Sequence, residues 1–194
     1  LEFRRVLFRS LCLGGIMYGQ RNIPQILDFC KDMREVSKPN VLFLNYANPM
    51  AMNTWAALEY GKVRTVGLCH GLEHGWYMID QVLARLHGDP EIKWEAFEQM
   101  QARTQILCTG INHQTWYHKI VYKGRSVGSA ELLEAFEKHP EHSKTQKCRI
   151  DVLRRFGYFS TESNGHLSEY LPWYRKRPSE IKKYIDLSAW IHGE

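Results

Sequence analysis

The chain has 194 residues, 44% of them hydrophobic and 24% charged, with 14 glycines and 7 prolines; this excludes a collagen-like or low-complexity polymer and points to an ordered globular protein. Lys plus Arg number 26 against 21 Asp plus Glu, a formal +5 whose basic residues gather on no single stripe, so neither nucleic acid nor a membrane surface is indicated as a partner. Five widely spaced cysteines without a CxxC pair argue against a disulfide scaffold and for a reducing, cytoplasmic setting, and no run is apolar for long enough to cross a bilayer.

The opening LEFRRVLFRS alternates arginine with apolar residues and is set aside as a leader, residues 1 to 10. From Asn22 to Val36, Ile23, Ile26, Leu27, Cys30 and Met33 recur at helical spacing, with Pro24 in the first turn. VLFLNYANPM reads as a buried strand whose carboxyl end opens into a loop. Ala51 to Tyr60 is a second helix stopped by Gly61, VRTVGLC a second strand, and Glu73 to Leu86 a third helix stopped by Gly88. This alternation predicts an α/β parallel sheet, whose active groups sit beyond the carboxyl ends of the strands. Those ends hold Asn45 to Met50 and Cys69-His70. Asp89 to Gln105 is an excursion with Trp94, Phe97 and Met100 on one side, and QILCTGIN is a third strand-like run. WYHKIVYKGRSV predicts an antiparallel strand and its turn, Glu131 to Lys138 and Thr145 to Phe156 helices, and GYFSTESNGHLSEYLPWYRKRPSE a long polar and aromatic loop before a last helix over 181–191.

Two segments compete for a metal. HGLEH (His70, Glu73, His74) matches H-x-x-E-H, the inverted zinc-peptidase motif, which needs both histidines on one helical face. Gly71 directly after a strand argues that His70 precedes the helix. The second candidate joins Cys69 and His113, each following a short apolar strand; a thiolate and an imidazole suit a divalent ion. A buried structural cysteine and a hydrogen-bonded histidine remain the plain alternative. Asn45 and Asn48 offer two amides at a strand end, able to hold vicinal hydroxyls or a nicotinamide, or simply to make a turn. Asn112 could orient the same ligand. Tyr158, Glu162, His166, Glu169 and Tyr170 form a dense polar-aromatic group in which a tyrosine beside a cation can act as a base. The glycines of LCLGGIMYGQ lack G-x-G-x-x-G spacing, so the residues alone indicate no nucleotide.

NYANPMAMNTWA (45–56), TVGLCHG (65–71), CTGINHQTWY (108–117) and GYFSTESNGHLSEYLPWYRK (157–176) resemble, in that order, the NAD- and manganese-dependent glycosidases of glycoside hydrolase family 4, most of all its α-galactosidase and α-galacturonidase branch. The resemblance implies a Rossmann-like parallel sheet over residues 11–112, its amino-terminal strands missing, running into a truncated α+β sugar-binding and dimerisation domain over 113–194. The chain then reads as an internal fragment. It implies NAD+ and Mn2+ as cofactors and hydrolysis of α-galactosides by C3 oxidation, C2 deprotonation, elimination of the aglycone, water addition and re-reduction, unlike a two-carboxylate displacement. On that basis Cys69 and His113 are the metal ligands, Asn45 contacts the cofactor, and Asn48, Asn112, His166 and Glu169 contact the sugar. Tyr158 is the C2 base, with Tyr170 next in line, and His70 assists departure of the leaving group. α-Galacturonidase and α-glucosidase activities are the alternatives within the family. A zinc metallopeptidase using His70, Glu73 and His74 and a non-catalytic sugar-binding α/β module are the alternatives outside it. The partners implied are an α-linked galactoside and, for the full-length protein, further copies of itself.

Overall fold

The computed structural model describes residues 12–111 and 113–185, which divide into two compact units between Cys69 and His70. In the first unit, α1 (Cys12–Val36) is ten residues longer at its start than the apolar periodicity indicates, with Pro24 inside it. Gly19 explains why a glycine-bearing stretch is helical here: a Cβ on it would come 2.8 Å from the Met52 sulfur. The small residue lets α1 lie close on α2 (Met50–Glu59), and packing outweighs glycine's poor helix propensity. Gly61 does similar work. A Cβ there would meet the Ala57 carbonyl at 2.6 Å and the Cys30 sulfur at 2.7 Å, so it is a point of close approach and not only a helix stop. Strands β1 (Leu42–Asn45) and β2 (Arg64–Gly67) pair in parallel, with Leu42 opposite Arg64 and Asn45 opposite Gly67. Ile26, Cys30, Ala57 and Val63 form the core beneath them.

The second unit begins with α3 (Gly71–His87), closed by Gly88 at φ 73°, the left-handed position that glycine adopts without penalty. The excursion folds as a 3-10 turn (Trp94–Ala96) leading into α4 (Phe97–Arg103), with Met100 fully buried. Trp94 and Trp76 lie 5.2 and 5.4 Å from Phe97. Then β3 (Thr104–Ile111) turns back at once into β4 (Gln114–Tyr122), which pairs with β5 (Arg125–Ser126) through a turn whose Lys123 and Gly124 both have positive φ. Helices α5 (Ser129–Lys138), α6 (His142–Thr145) and α7 (Lys147–Phe156) follow. The long polar segment is largely structured: β6 (Phe159–Ser160), α8 (Asn164–Tyr170), a 3-10 turn (Pro172–Tyr174) and α9 (Pro178–Tyr184). Ile79, Leu83, Tyr117, Phe136, Leu153 and Phe159 anchor its main core.

This corrects the expected Rossmann-like sheet. Among the described residues the parallel sheet has two strands, and the fold is a mixed α/β one with a separate four-stranded antiparallel sheet. QILCTGIN does not extend the parallel sheet, because its neighbour follows after only two residues. A connection that short permits antiparallel pairing alone; a parallel partner needs a crossover of a dozen residues or more.

Candidate functional site

In the second unit, β6 pairs with β4, setting Trp116 opposite Ser160 and Tyr117 opposite Phe159. The pairing continues for one step beyond the strand: Thr161 donates to the Thr115 carbonyl from its backbone N (3.0 Å) and from its hydroxyl (3.1 Å). Glu162 is thereby delivered beside His113, at the tip of the β3–β4 hairpin. His113 Nδ1 makes a short hydrogen bond to Glu162 Oε2. The other carboxyl oxygen accepts from the Ser163 backbone N at 2.8 Å.

Ser163 caps α8, its hydroxyl accepting from the His166 backbone N. His166 and Tyr170 are one turn apart on that helix and share a face. Both rings lie 5.8 Å from the His113 ring, at 11° and 19° to it. His166 Nδ1 is 3.2 Å from the Ser163 hydroxyl and 3.9 Å from Glu162 Oε1. Burial lowers the pKa of His113, favouring the neutral imidazole that a metal or a proton relay requires.

Glu169 stands on the same helix. Burial pushes its pKa up to about 7, against the opposing pull of Arg175, whose Nη2 is 3.7 Å away. Arg175 Nε donates to the Ser168 hydroxyl (2.9 Å) and Nη2 to the Gly165 carbonyl (3.1 Å). The group therefore combines a carboxyl-bound imidazole whose burial disfavours the charged form, a second imidazole, a phenol and a carboxyl titrating near neutrality. It can ligate one face of a cation and exchange protons at physiological pH.

Tyr158 is not part of this group. It is exposed, stacks on His118 at 6.3 Å, and borders a separate cavity of about 310 Å3 between β4 and α5. His70 stands just before α3, exposed, with Nδ1 3.7 Å from Glu73 Oε2. His74 sits one turn on, with its ring edge-on to Trp94. In the first unit, Asn45 is buried, and its side chain closes the strand-end turn. Its Nδ2 donates to the Met50 carbonyl (3.2 Å) and Thr54 Oγ1 (3.1 Å), while its Oδ1 accepts from Ala47 N (3.0 Å). Asn48 precedes a cis proline and accepts at its carbonyl from Asn22 Nδ2 at 2.7 Å. Cys69 is exposed and is the last residue of the first unit, whereas His113 belongs to the second. Asn112 lies outside the described residues. Among the described residues no group of three or more His, Cys, Asp or Glu gathers as a metal site, and no helix is long and apolar enough to cross a membrane.

The partner role of Glu162 is what sequence reasoning missed, although the residue stood in the polar-aromatic group. The available signal was Ser163-x-x-His166: a helix cap at Ser163 puts the preceding residue at the mouth of the helix.

Residues 5–85 match the family described as Family 4 glycosyl hydrolase, and residues 108–193 match the Family 4 glycosyl hydrolase C-terminal domain. The matches correct the expectation of an internal fragment of truncated domains in that both regions of the family are represented. They fall on both regions of the family, and the first opens at residue 5, inside the stretch set aside as a leader. An alpha-galactosidase of Rhizobium meliloti is 61% identical over 185 residues, covering 95% of this chain and 35% of its own length. A Bacillus subtilis glucosidase structure superposes with a TM-score of 0.69 at 20% identity, over 99% of this chain and 47% of the other. A 6-phospho-alpha-glucosidase from gut microorganisms, solved in complex with NAD and glucose-6-phosphate, gives 0.59 at 20% identity, over 93% of this chain and 41% of the other. The chain thus spans about a third to a half of the length of these relatives.

Proposed function

Since the chain belongs to family 4 of the glycosyl hydrolases, we propose that it serves the NAD+- and Mn2+-dependent hydrolysis of α-galactosides. The observation that carries the substrate is the 61% identity over 185 residues to an alpha-galactosidase. The sequence motifs carry the cofactors, with Cys69 and His113 as the metal ligands. The His113 environment fits such a ligand: its imidazole is carboxyl-bound at Nδ1, which leaves Nε2 as the donor atom, and burial disfavours its charged form. When bound, NAD+ supplies hydride exchange at C3 and the divalent ion supplies Lewis-acid polarisation of the oxidised sugar.

The chain's own residues supply proton handling and orientation. Tyr170, stacked against His113, is better situated than Tyr158 to take the C2 proton beside a His113-held cation, since Tyr158 stacks on His118. His166 lines the same group, and Glu169, with its pKa near neutrality, can hold or release a proton to a sugar hydroxyl. Asn48 and Asn112 remain proposed sugar contacts by motif, His70 the proposed aid to departure of the leaving group, and Asn45 a cofactor contact.

Two arginines bear on galactoside against galacturonide. Arg149 is fully buried, with Nε and Nη2 donating to the Ser160 carbonyl at 3.2 and 2.6 Å and Nη1 to Gln146 Oε1 at 3.0 Å. Arg175 faces Glu169. The Arg149 guanidinium is engaged within the protein at all three nitrogens, which favours an uncharged sugar over one carrying a carboxylate. The test is turnover of nitrophenyl α-galactoside and α-galacturonide, with and without NAD+ and Mn2+. Hydrolysis of the galactoside that needs both cofactors is expected; preference for the galacturonide, or turnover indifferent to both cofactors, would refute the proposal.

A further inference from the structure

We propose that Glu162 is the positioning residue that fixes which nitrogen of His113 is presented to a divalent cation; this rests on the metal role of His113 argued above. The hydrogen bond alone does not settle which partner donates. The surroundings do. Glu162 is held at three points: its backbone N donates to the Ser160 hydroxyl at 3.1 Å, one carboxyl oxygen accepts from Ser163 N at 2.8 Å, and the other meets His113 Nδ1. The preceding Thr161 is tied twice to the Thr115 carbonyl.

The carboxyl is therefore a fixed acceptor, 8% exposed, facing an imidazole that is 13% exposed. The imidazole is not free to turn, since two further rings lie nearly parallel to it at 5.8 Å. A buried carboxyl that already accepts from a backbone N–H favours accepting again, from Nδ1–H, which leaves the Nε2 lone pair bare on the opposite edge of the ring. One bare imidazole nitrogen backed by a carboxyl is a donor suited to a borderline divalent ion. Without Glu162 the neutral ring would be free to carry its proton on Nε2, blocking that atom.

Long-range proton–nitrogen NMR of the histidine-labelled chain, without metal, reads the tautomer directly. The expected spectrum shows His113 protonated at Nδ1 and bare at Nε2. Glu162→Leu should move the proton toward Nε2 and weaken Mn2+ binding, followed by the free-ion EPR signal, by about 10- to 100-fold. Glu162→Gln, whose amide oxygen can still accept, should keep the tautomer and most of the affinity. An Nε2–H tautomer in the unmutated chain would overturn the proposal, and that measurement needs no variant to fold. Unchanged Mn2+ affinity in Glu162→Leu would overturn it as well. The metal reading is tested separately by His113→Ala: undiminished Mn2+ binding there would fell that reading and this proposal with it, whereas a wrong tautomer fells the proposal alone.

Discussion

Asp80 shows how much a single buried carboxylate organises in this chain. It is fully buried, and it receives Arg103 through Nε at 2.9 Å and through Nη2, and the Thr104 hydroxyl at 2.5 Å. These donors reach it because α4 passes directly into β3, so Arg103 ends the helix and Thr104 begins the strand. Removing the acceptor strands a guanidinium that is only 10% exposed. Asp80→Ala is expected to lower unfolding free energy by about 3–5 kcal/mol in a denaturant titration. A loss below 1 kcal/mol would show the pair to be dispensable. Gly75 makes the opposite demand, for space: a Cβ there would collide with the Tyr117 hydroxyl and come 2.8 Å from Arg149 Nη2. Gly75→Ala should therefore destabilise by about 1–3 kcal/mol despite alanine's better helix propensity, measured in the same titration. Neither demand is legible in the sequence. A fixed spacing reveals which residues share a helix face, but not that residues 80 and 103, or 75 and 149, meet across elements.

Among the elements, α8 carries the candidate site: His166, Glu169 and Tyr170 all stand on its seven residues. A helix this short depends on its cap and its packing more than on propensity. Ser163→Ala should cost about 1 kcal/mol and reduce Mn2+-dependent turnover, because the face that meets His113 loses its anchor; Ser163→Asp, another capping residue, should restore most of both. Thermal melts and activity assays on the two variants check this, and equal losses in both would contradict the capping role. The same element marks the limit of legibility. The sequence groups the polar and aromatic residues of 157–170 correctly as chemistry-bearing, yet their periodicity is too brief to separate a helix from a loop. Helix α1 fails in the other direction: Gly19 falls outside the apolar periodicity, and its place in the helix is explained only by its close approach to Met52 of α2. By contrast, α3 and the β4 turn were legible, because each closes at a glycine, Gly88 or Gly124, that takes a positive φ without penalty.

In the second unit, burial of His142 couples stability to pH. His142 is buried, stacks on His139 at 4.2 Å, meets Gln81 Oε1 at 3.1 Å, and has its pKa lowered to about 4, first by desolvation and then by His139, Arg149 and His74. The unfolded chain takes up this proton near the ordinary value of 6.5, while the folded chain excludes it until about 4. Its contribution is therefore complete above 6.5, declines as pH falls, and is lost by about 4, a change of roughly 3 kcal/mol. Urea melts at pH 7.5 and 4.5 should show that loss, and His142→Gln should flatten it. An unchanged pH slope in the variant would assign the loss to other groups. At this scale the family was legible from four ordered motifs, while the strand arrangement was not, because a two-residue connection outranks the alternation of helix and strand.

The central claim is chemical, and solvent isotope reads it. If the C2 proton is removed and replaced in each turnover, hydrolysis of an α-galactoside in D2O must leave deuterium at C2 of the released sugar. The account predicts C2-deuterated galactose, seen by mass spectrometry or proton NMR, only when NAD+ and Mn2+ are both present. Galactose released at full rate with protium retained at C2 would contradict it.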